Sequence, residues 1–283
     1  MEKIITPVKD VDSAEQVIEN GLRLGSAFRK HVDFIHVTDP RDINHPSNVG
    51  DSKSTVTDMT ADEIMEKKDS MAHDKLQGIL TRQMSQVKSV PSASIVCKTG
   101  HFENILIEEG NKKENIFLVF CCHIQDNENN SISEYMDIIT SSARPSMIIP
   151  SWKIPLNIDH IVYITAYHEN DILVLKDIRE IFKWISGSIE VLYFLDDEDY
   201  KTRVLDHNAL NMLKEEIDYE YFTVKRLWSE DMNKTFRKYL DEHKPGLISF
   251  RHEKKGVINR LLRRKTIREW VLEQNHPVLI YNR

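Results

Sequence analysis

The chain has 283 residues, 40% hydrophobic and 29% charged, with a formal net charge of −7. That length accommodates two ordinary domains, each with its own core, and the acidic balance disfavours a general nucleic-acid binder. No run approaches the roughly 20 apolar residues of a membrane span, and MEKIITPVKD has no basic region leading an apolar stretch, so a cytoplasmic protein is expected.

The predicted elements begin with KIITPV (3–8), a buried strand, followed by a helix on which Val17, Ile18, Leu22, Leu24 and Phe28 form an imperfect stripe. VDFIHV (32–37) is the second strand. A polar stretch over 38–58 with two prolines reads as a loop, and Ala61 to Val87 as a long polar helix. SASIVCK, a helix over 102–109, NIFLVFCC, a helix over 132–141 and SMIIP complete a first pass. Cys97, Cys121 and Cys122 lie inside these apolar β-branched runs and suit reduced buried thiols better than a disulfide framework.

After SWKIPLN the order repeats. HIVYIT (160–165), a helix through DILVLKDIREIFKWIS, IEVLYF (189–194), a helix over 204–216 and YEYFTVK match the first three steps. A helix over 230–243, GLISF (246–250), a basic helix and PVLIY match the rest. Apolar strands separated by about one helix each imply crossover units and a parallel sheet. We therefore expect an α/β chain of two doubly wound domains, 1–152 and 153–283, each a five-stranded parallel sheet with helices on both faces.

On these residues the chain resembles the universal stress protein family. KIITPVKDVDSAEQVIENGLRLGSAFRKHVDFIHVTDP looks like the family's opening, and SASIVCKTGHFENILIEEGNKKENIFLVF like its central strand, glycine, helix and strand, with Gly100 at the glycine. KPGLISFRHEKKGVINRLLRRKTIREWVLEQNHPVLIY resembles its closing segment, and SARPSMIIP repeats that ending in the first half. The resemblance implies two tandem domains, strand order 3-2-1-4-5 in each, and pairing across the fifth strand.

For nucleotide-binding members, the resemblance implies an Asp directly after the first strand and a loop after the fourth, of the form Gly, two residues, Gly, nine residues, Gly, then Ser or Thr. Glycine lets backbone N–H groups approach phosphates, and the following helix presents its positive end. In the first half the Asp position holds Lys9, with Asp10 one place later, and the loop HIQDNENNSISEY has no glycine. Lys9, Asp10, His123 and Ser133 thus outline a degenerate site. In the second half Ala166 and Tyr167 stand where the Asp belongs, and the loop retains Gly256. Gly256, Arg260, Arg264, Lys265 and Thr266 are its candidate anion or nucleotide residues.

From Arg251 to Arg268 there are eight Lys or Arg against one acid, Glu253. Side-chain charge could replace the missing backbone amides, since arginine pairs well with phosphate. The plainer reading is a solvated helix face with Ile258, Leu261, Leu262, Ile267 and Val271 inward. One short patch offers few duplex contacts, so nucleic acid is disfavoured as a partner.

CCH (121–123) lacks a second zinc-type cluster, and DDED (196–199) fits a strand-to-helix loop better than a cation site. No GxSxG, P-loop or GxGxxG motif points to an enzyme, and no metal is expected. The long loop and helix over 38–88 could serve as a lid or partner surface; the plainer reading is an ordinary second helix of the domain with a longer entry loop. The expectation is a stress-response regulatory or binding module with a degenerate nucleotide site, no cofactor, an unidentified protein partner, homodimerisation open, and no membrane association. The alternative is an ATP- or AMP-binding member with weak hydrolysis that uses the second-domain loop.

Overall fold

A computed structural model describes residues 3–43, 60–87, 89, 92–112, 116–122, 131–150, 158–165, 170–183, 187–195, 213–228, 231–252 and 264–282. The chain divides into two compact units, 1–121 and 122–283.

In the first unit, β1 (Lys3–Val8) is followed by α1 (Ala14–Phe28), β2 (His31–Thr38), a 3-10 turn (Pro40–Ile43), α2 (Ala61–Gln86), β3 (Ala93–Thr99), α3 (Phe102–Gly110) and β4 (Ile116–Cys122). Its strands lie in the order β3-β2-β1-β4, with parallel pairing throughout. Ile4, Ile5, Thr6 and Val8 in β1 are all fully buried, so both faces of the strand are covered, as expected for a central strand carrying a continuous apolar run. Two glycines on α1 set how close that helix lies to β2. A Cβ on Gly21 would stand 2.5 Å from Phe34 Cε1, and one on Gly25 would stand 2.4 Å from Val32 Cγ2.

The long helix α2 starts with a capping box. The Thr60 hydroxyl accepts from the Glu63 N–H, and the Glu63 carboxylate accepts from the Thr60 N–H, which satisfies two otherwise orphaned donors. Leu76 and Leu80 are buried. Asp69 accepts from the Thr38 hydroxyl and, at 2.7 Å, from the Thr99 hydroxyl, so the helix is pinned to the ends of β2 and β3. The predicted helix over 61–87 is therefore present, and its entry loop over 44–59 lies outside the described residues.

The second unit holds α4 (Ser131–Ser141), β5 (Ser146–Pro150), β6 (His160–Thr165), α5 (Asp171–Phe182), β7 (Ser188–Leu195), a helical stretch over 213–217, and β8 (Phe222–Trp228). It continues with α6 (Met232–His243), β9 (Leu247–Arg251), α7 (Arg264–Arg268), a π turn (Glu269–Glu273) and β10 (Val278–Tyr281). The strands run β5-β10-β9-β6-β7-β8. Taken from β6 onward this is the 3-2-1-4-5 order, all parallel, and β5 joins it antiparallel to β10, with Leu279 opposite Met147. The protein is thus α/β with doubly wound parallel topology, and the fifth-strand pairing that the family resemblance implies is present between β5 and β10. Phe236, Phe250 and Trp270 interlock edge to face beneath α6 and the π turn, with ring centroids 4.9 and 6.4 Å from Trp270.

Candidate functional site

In a doubly wound sheet the ligand crevice opens at the carboxyl ends of the strands, where strand order reverses. For the two repeats here, that means the seams between β1 and β4 and between β6 and β9.

At the first seam the chain leaves β1 at Val8. Lys9 and Asp10 are exposed. The Lys9 ammonium stands 5.8 Å from the centroid of the Phe102 ring, a cation–π contact. Asp10 is used locally: its carboxylate accepts from the Asp12 N–H at 3.1 Å and its carbonyl from the Ser13 hydroxyl at 3.3 Å, which forms the turn into α1. Gly100, at φ 150, donates its N–H to Thr38 O at 3.1 Å, and this turn delivers His101 to the start of α3.

Beside this turn Asp39 accepts from Arg41 Nε (3.0 Å), Arg41 Nη2 (2.6 Å) and the Arg41 N–H (2.9 Å), with His101 Nδ1 at 3.4 Å. The Arg41 guanidinium holds the Asp39 carboxyl far below the usual carboxylate range, against the opposing effect of burial. Ser133 lies in the first turn of α4, in the other compact unit from Lys9 and Asp10, and His123 is outside the described residues.

At the second seam the structure contains an arrangement that sequence reasoning did not identify. Asp171, the first residue of α5, is 1% exposed. Its Oδ1 accepts from the Tyr163 hydroxyl at 2.8 Å and its Oδ2 from the Thr165 hydroxyl. Arg251, the last residue of β9, is 8% exposed, and its Nε lies 3.6 Å from Asp171 Oδ1. Burial, followed by the charge and hydrogen bond of Asp171, pushes the Tyr163 phenol well above its ordinary range, so it stays a donor. Tyr163 is the register partner of Ser249, and Tyr281 that of Arg251, so this polar layer occupies one face across three strands. Ser249 Oγ is fully buried and has no hydrogen-bond partner among the described residues.

Arg251 therefore differs from the basic helix with which it was counted. Lys265 and Arg268 are exposed on α7, while Ile267 and Val271 are fully buried, which fits a solvated face for that short helix. Thr266 is half-buried on α7 and Arg264 begins it; Gly256, Arg260, Ile258, Leu261 and Leu262 lie outside the described residues, as does the acidic run 196–199.

The register gives the first-half equivalents. Eleven residues separate Lys3 from Ala14, and His160 from Asp171. Ile4 pairs with Phe117 as Ile161 pairs with Leu247, so Cys121 corresponds to Arg251, and Cys122 to His252. Thr6, Val8, Ala14 and Cys121 thus stand in for Tyr163, Thr165, Asp171 and Arg251. Burial pushes the Cys121 thiol up to about 12, so it is an inert, protonated core group. The signal available in the sequence was this mismatch between repeats: an Asp where the other copy has Ala, and an Arg at the end of an apolar strand where it has Cys.

Among the described residues, no group of three or more His, Cys, Asp and Glu is placed to hold a metal ion. None of the described helices is long and apolar enough to cross a membrane.

No protein-family profile and no curated protein sequence matches the chain. Solved structures do. A universal stress protein from Archaeoglobus fulgidus superposes with a TM-score of 0.60 at 12% identity, covering 99% of this chain and 96% of that one. A functionally unknown protein from Pseudomonas aeruginosa does so with a TM-score of 0.56 at 10% identity, over 99% of this chain and 92% of its own. The cytoplasmic domain of a prokaryotic cation chloride cotransporter follows with 0.50 at 10% identity, over 99% and 94%. Across nearly its whole length the chain has the universal stress protein fold. At these identities the likeness establishes the fold, and function has to be argued from the sites.

Proposed function

We propose that the protein is a stress-response regulatory or binding module with two repeats, 1–152 and 153–283, whose nucleotide sites are degenerate and which works through its surfaces. The observation that carries this is the loss of the phosphate-binding glycines: none lies between His123 and Tyr135, and Gly256 alone lies in the corresponding second-half loop. Without them, side chains fill the space that backbone N–H groups need to reach a phosphate. The strand-end positions support the same reading, since Lys9 stands over Phe102 in place of an acid and the second seam holds the chain's own ion pair. The same fold also forms the cytoplasmic domain of a prokaryotic cation chloride cotransporter, so it occurs as one part of a larger protein.

The test is the nucleotide content of freshly purified protein, released by denaturation and resolved by anion exchange, with calorimetric ATP titration alongside. The expected result is empty protein with no ATP heat. Stoichiometric ATP or AMP would overturn the proposal and favour a site built from Gly256, Thr266 and the basic segment.

A further inference from the structure

We infer that the second seam is a self-ligated anion site: Tyr163, Thr165 and Arg251 form a receptor for one carboxylate, and Asp171 of the same chain occupies it. The inference deepens the reading that this half has no nucleotide site of the glycine type, and rests on that reading for its role.

The chemistry is that of an anion receptor. Two hydroxyls donate to the two oxygens of one carboxylate, one to each, and a guanidinium stands within 4 Å on the Oδ1 side. The carboxylate also sits in the first turn of α5, a twelve-residue helix whose N-terminal N–H groups carry partial positive charge. All four groups are at least nine-tenths buried, in a layer where the first repeat carries Thr6, Val8, Ala14 and Cys121. A stable domain of this fold therefore does not need the charges. Ser249, fully buried on the same strand face as Arg251 and without a hydrogen-bond partner among the described residues, adds an unused hydroxyl to the layer.

Two consequences follow from the seam's position. The receptor lies at the carboxyl ends of β6 and β9, where this topology accepts ligands, so the internal carboxylate blocks it. Any small carboxylate that uses the receptor must displace Asp171, which makes the aspartate an autoinhibitory contact and gives the site a closed and an open state.

Chemical rescue tests this in the full chain. Asp171→Gly removes the carboxymethyl group and leaves a space shaped like acetate. Sodium acetate, on the order of 100 mM, is expected to raise the melting temperature of Asp171→Gly saturably by several degrees beyond sodium chloride at equal ionic strength. Wild-type protein and Asp171→Gly/Arg251→Met are expected to respond to the two salts alike. Equal effects of acetate and chloride on Asp171→Gly, or equal acetate rescue in the double variant, would overturn the inference. Should the glycine variant fail to fold in either salt, the isosteric Asp171→Asn provides the test. Arg251→Met added to it should recover part of the lost melting temperature, and no recovery would overturn the inference. ATP binding to the wild-type protein would sink the proposed function yet leave the acetate comparison intact.

Discussion

The two seams solve one packing problem with opposite chemistry. Beneath α1, the first repeat buries Thr6, Val8, Ala14 and Cys121; beneath α5, the second buries Tyr163, Thr165, Asp171 and Arg251 at the equivalent positions. The backbone around them is the same: a parallel strand pair, then a helix that starts eleven residues after the strand does. The apolar version needs only shape. The charged version pays a desolvation penalty of several kcal/mol per ion, which only a complete set of partners can offset. The fold therefore accommodates either layer, and a charge moved alone from one to the other should be costly.

Exchanging residues between the seams would separate the two layers. Ala14→Asp places a carboxylate where the arginine position holds Cys121, whose burial makes it no counter-ion. A loss of about 3–5 kcal/mol is expected, the scale of a buried uncompensated charge. Asp171→Ala should cost a similar amount by removing the carboxylate beside the buried Arg251, and adding Arg251→Met should return part of it. Urea denaturation midpoints with unchanged m-values would measure all three. A harmless Ala14→Asp would show that the first seam admits water, and the contrast between the halves would collapse.

Tyr163 and Thr6 sharpen the comparison at a single register position. Tyr163→Phe removes a hydroxyl that donates to a charged carboxylate, with an expected loss of about 1.5–3 kcal/mol. Thr6 Oγ1 is fully buried with no hydrogen-bond partner among the described residues. Thr6→Val should therefore be neutral or stabilising by up to about 1 kcal/mol, since it removes an unsatisfied polar group at nearly constant volume. Opposite signs at equivalent positions would be the clearest mark that one seam is polar by construction. Equal losses would indicate that Thr6 has a partner of its own.

How far the sequence disclosed this follows from which forces act locally. The strands of 3–8 and 160–165 were legible to the residue, because strands buried on both faces read as continuous apolar runs. The long polar helix expected over 61–87 is present over 61–86, and the structure adds its Thr60 and Glu63 capping box, a short-range start signal. Arg251 was misgrouped for the converse reason. Along the chain it borders a run of lysines and arginines, and only the pairing of β6 with β9 brings it to Asp171. Asp171 itself resembled an ordinary acid at a helix start, where the dipole favours one; its burial depends on tertiary packing. Lys9 and Asp10 follow the end of β1, and nothing local in the sequence revealed that Asp10 serves its own turn.

The smallest expected effect concerns carboxylates outside the seams, and it asks whether the polarity of the second half is confined to its ligand edge. Glu190 on β7 lies 3.5 Å from His160 Nε2 and accepts from the Tyr239 hydroxyl. The hydrogen bond from His160, with those from Tyr239 and the charge of Lys225, lowers its pKa below the ordinary 4.5 despite burial. In the first unit Glu109 is opposed by burial but is held below the same value by Lys112 and Lys98. A carboxyl whose pKa is depressed on folding contributes stability that is fully present above the unfolded value, about 4.5, and is lost as pH falls through the folded one. The gap in stability between wild type and Glu190→Gln should therefore be largest near pH 7 and shrink below about pH 4.5. Glu109→Gln should behave in the same way. If only Glu190→Gln shows the pH-dependent gap, the contrast between the repeats extends beyond the seams; if both show it, these two carboxylates do not distinguish the repeats.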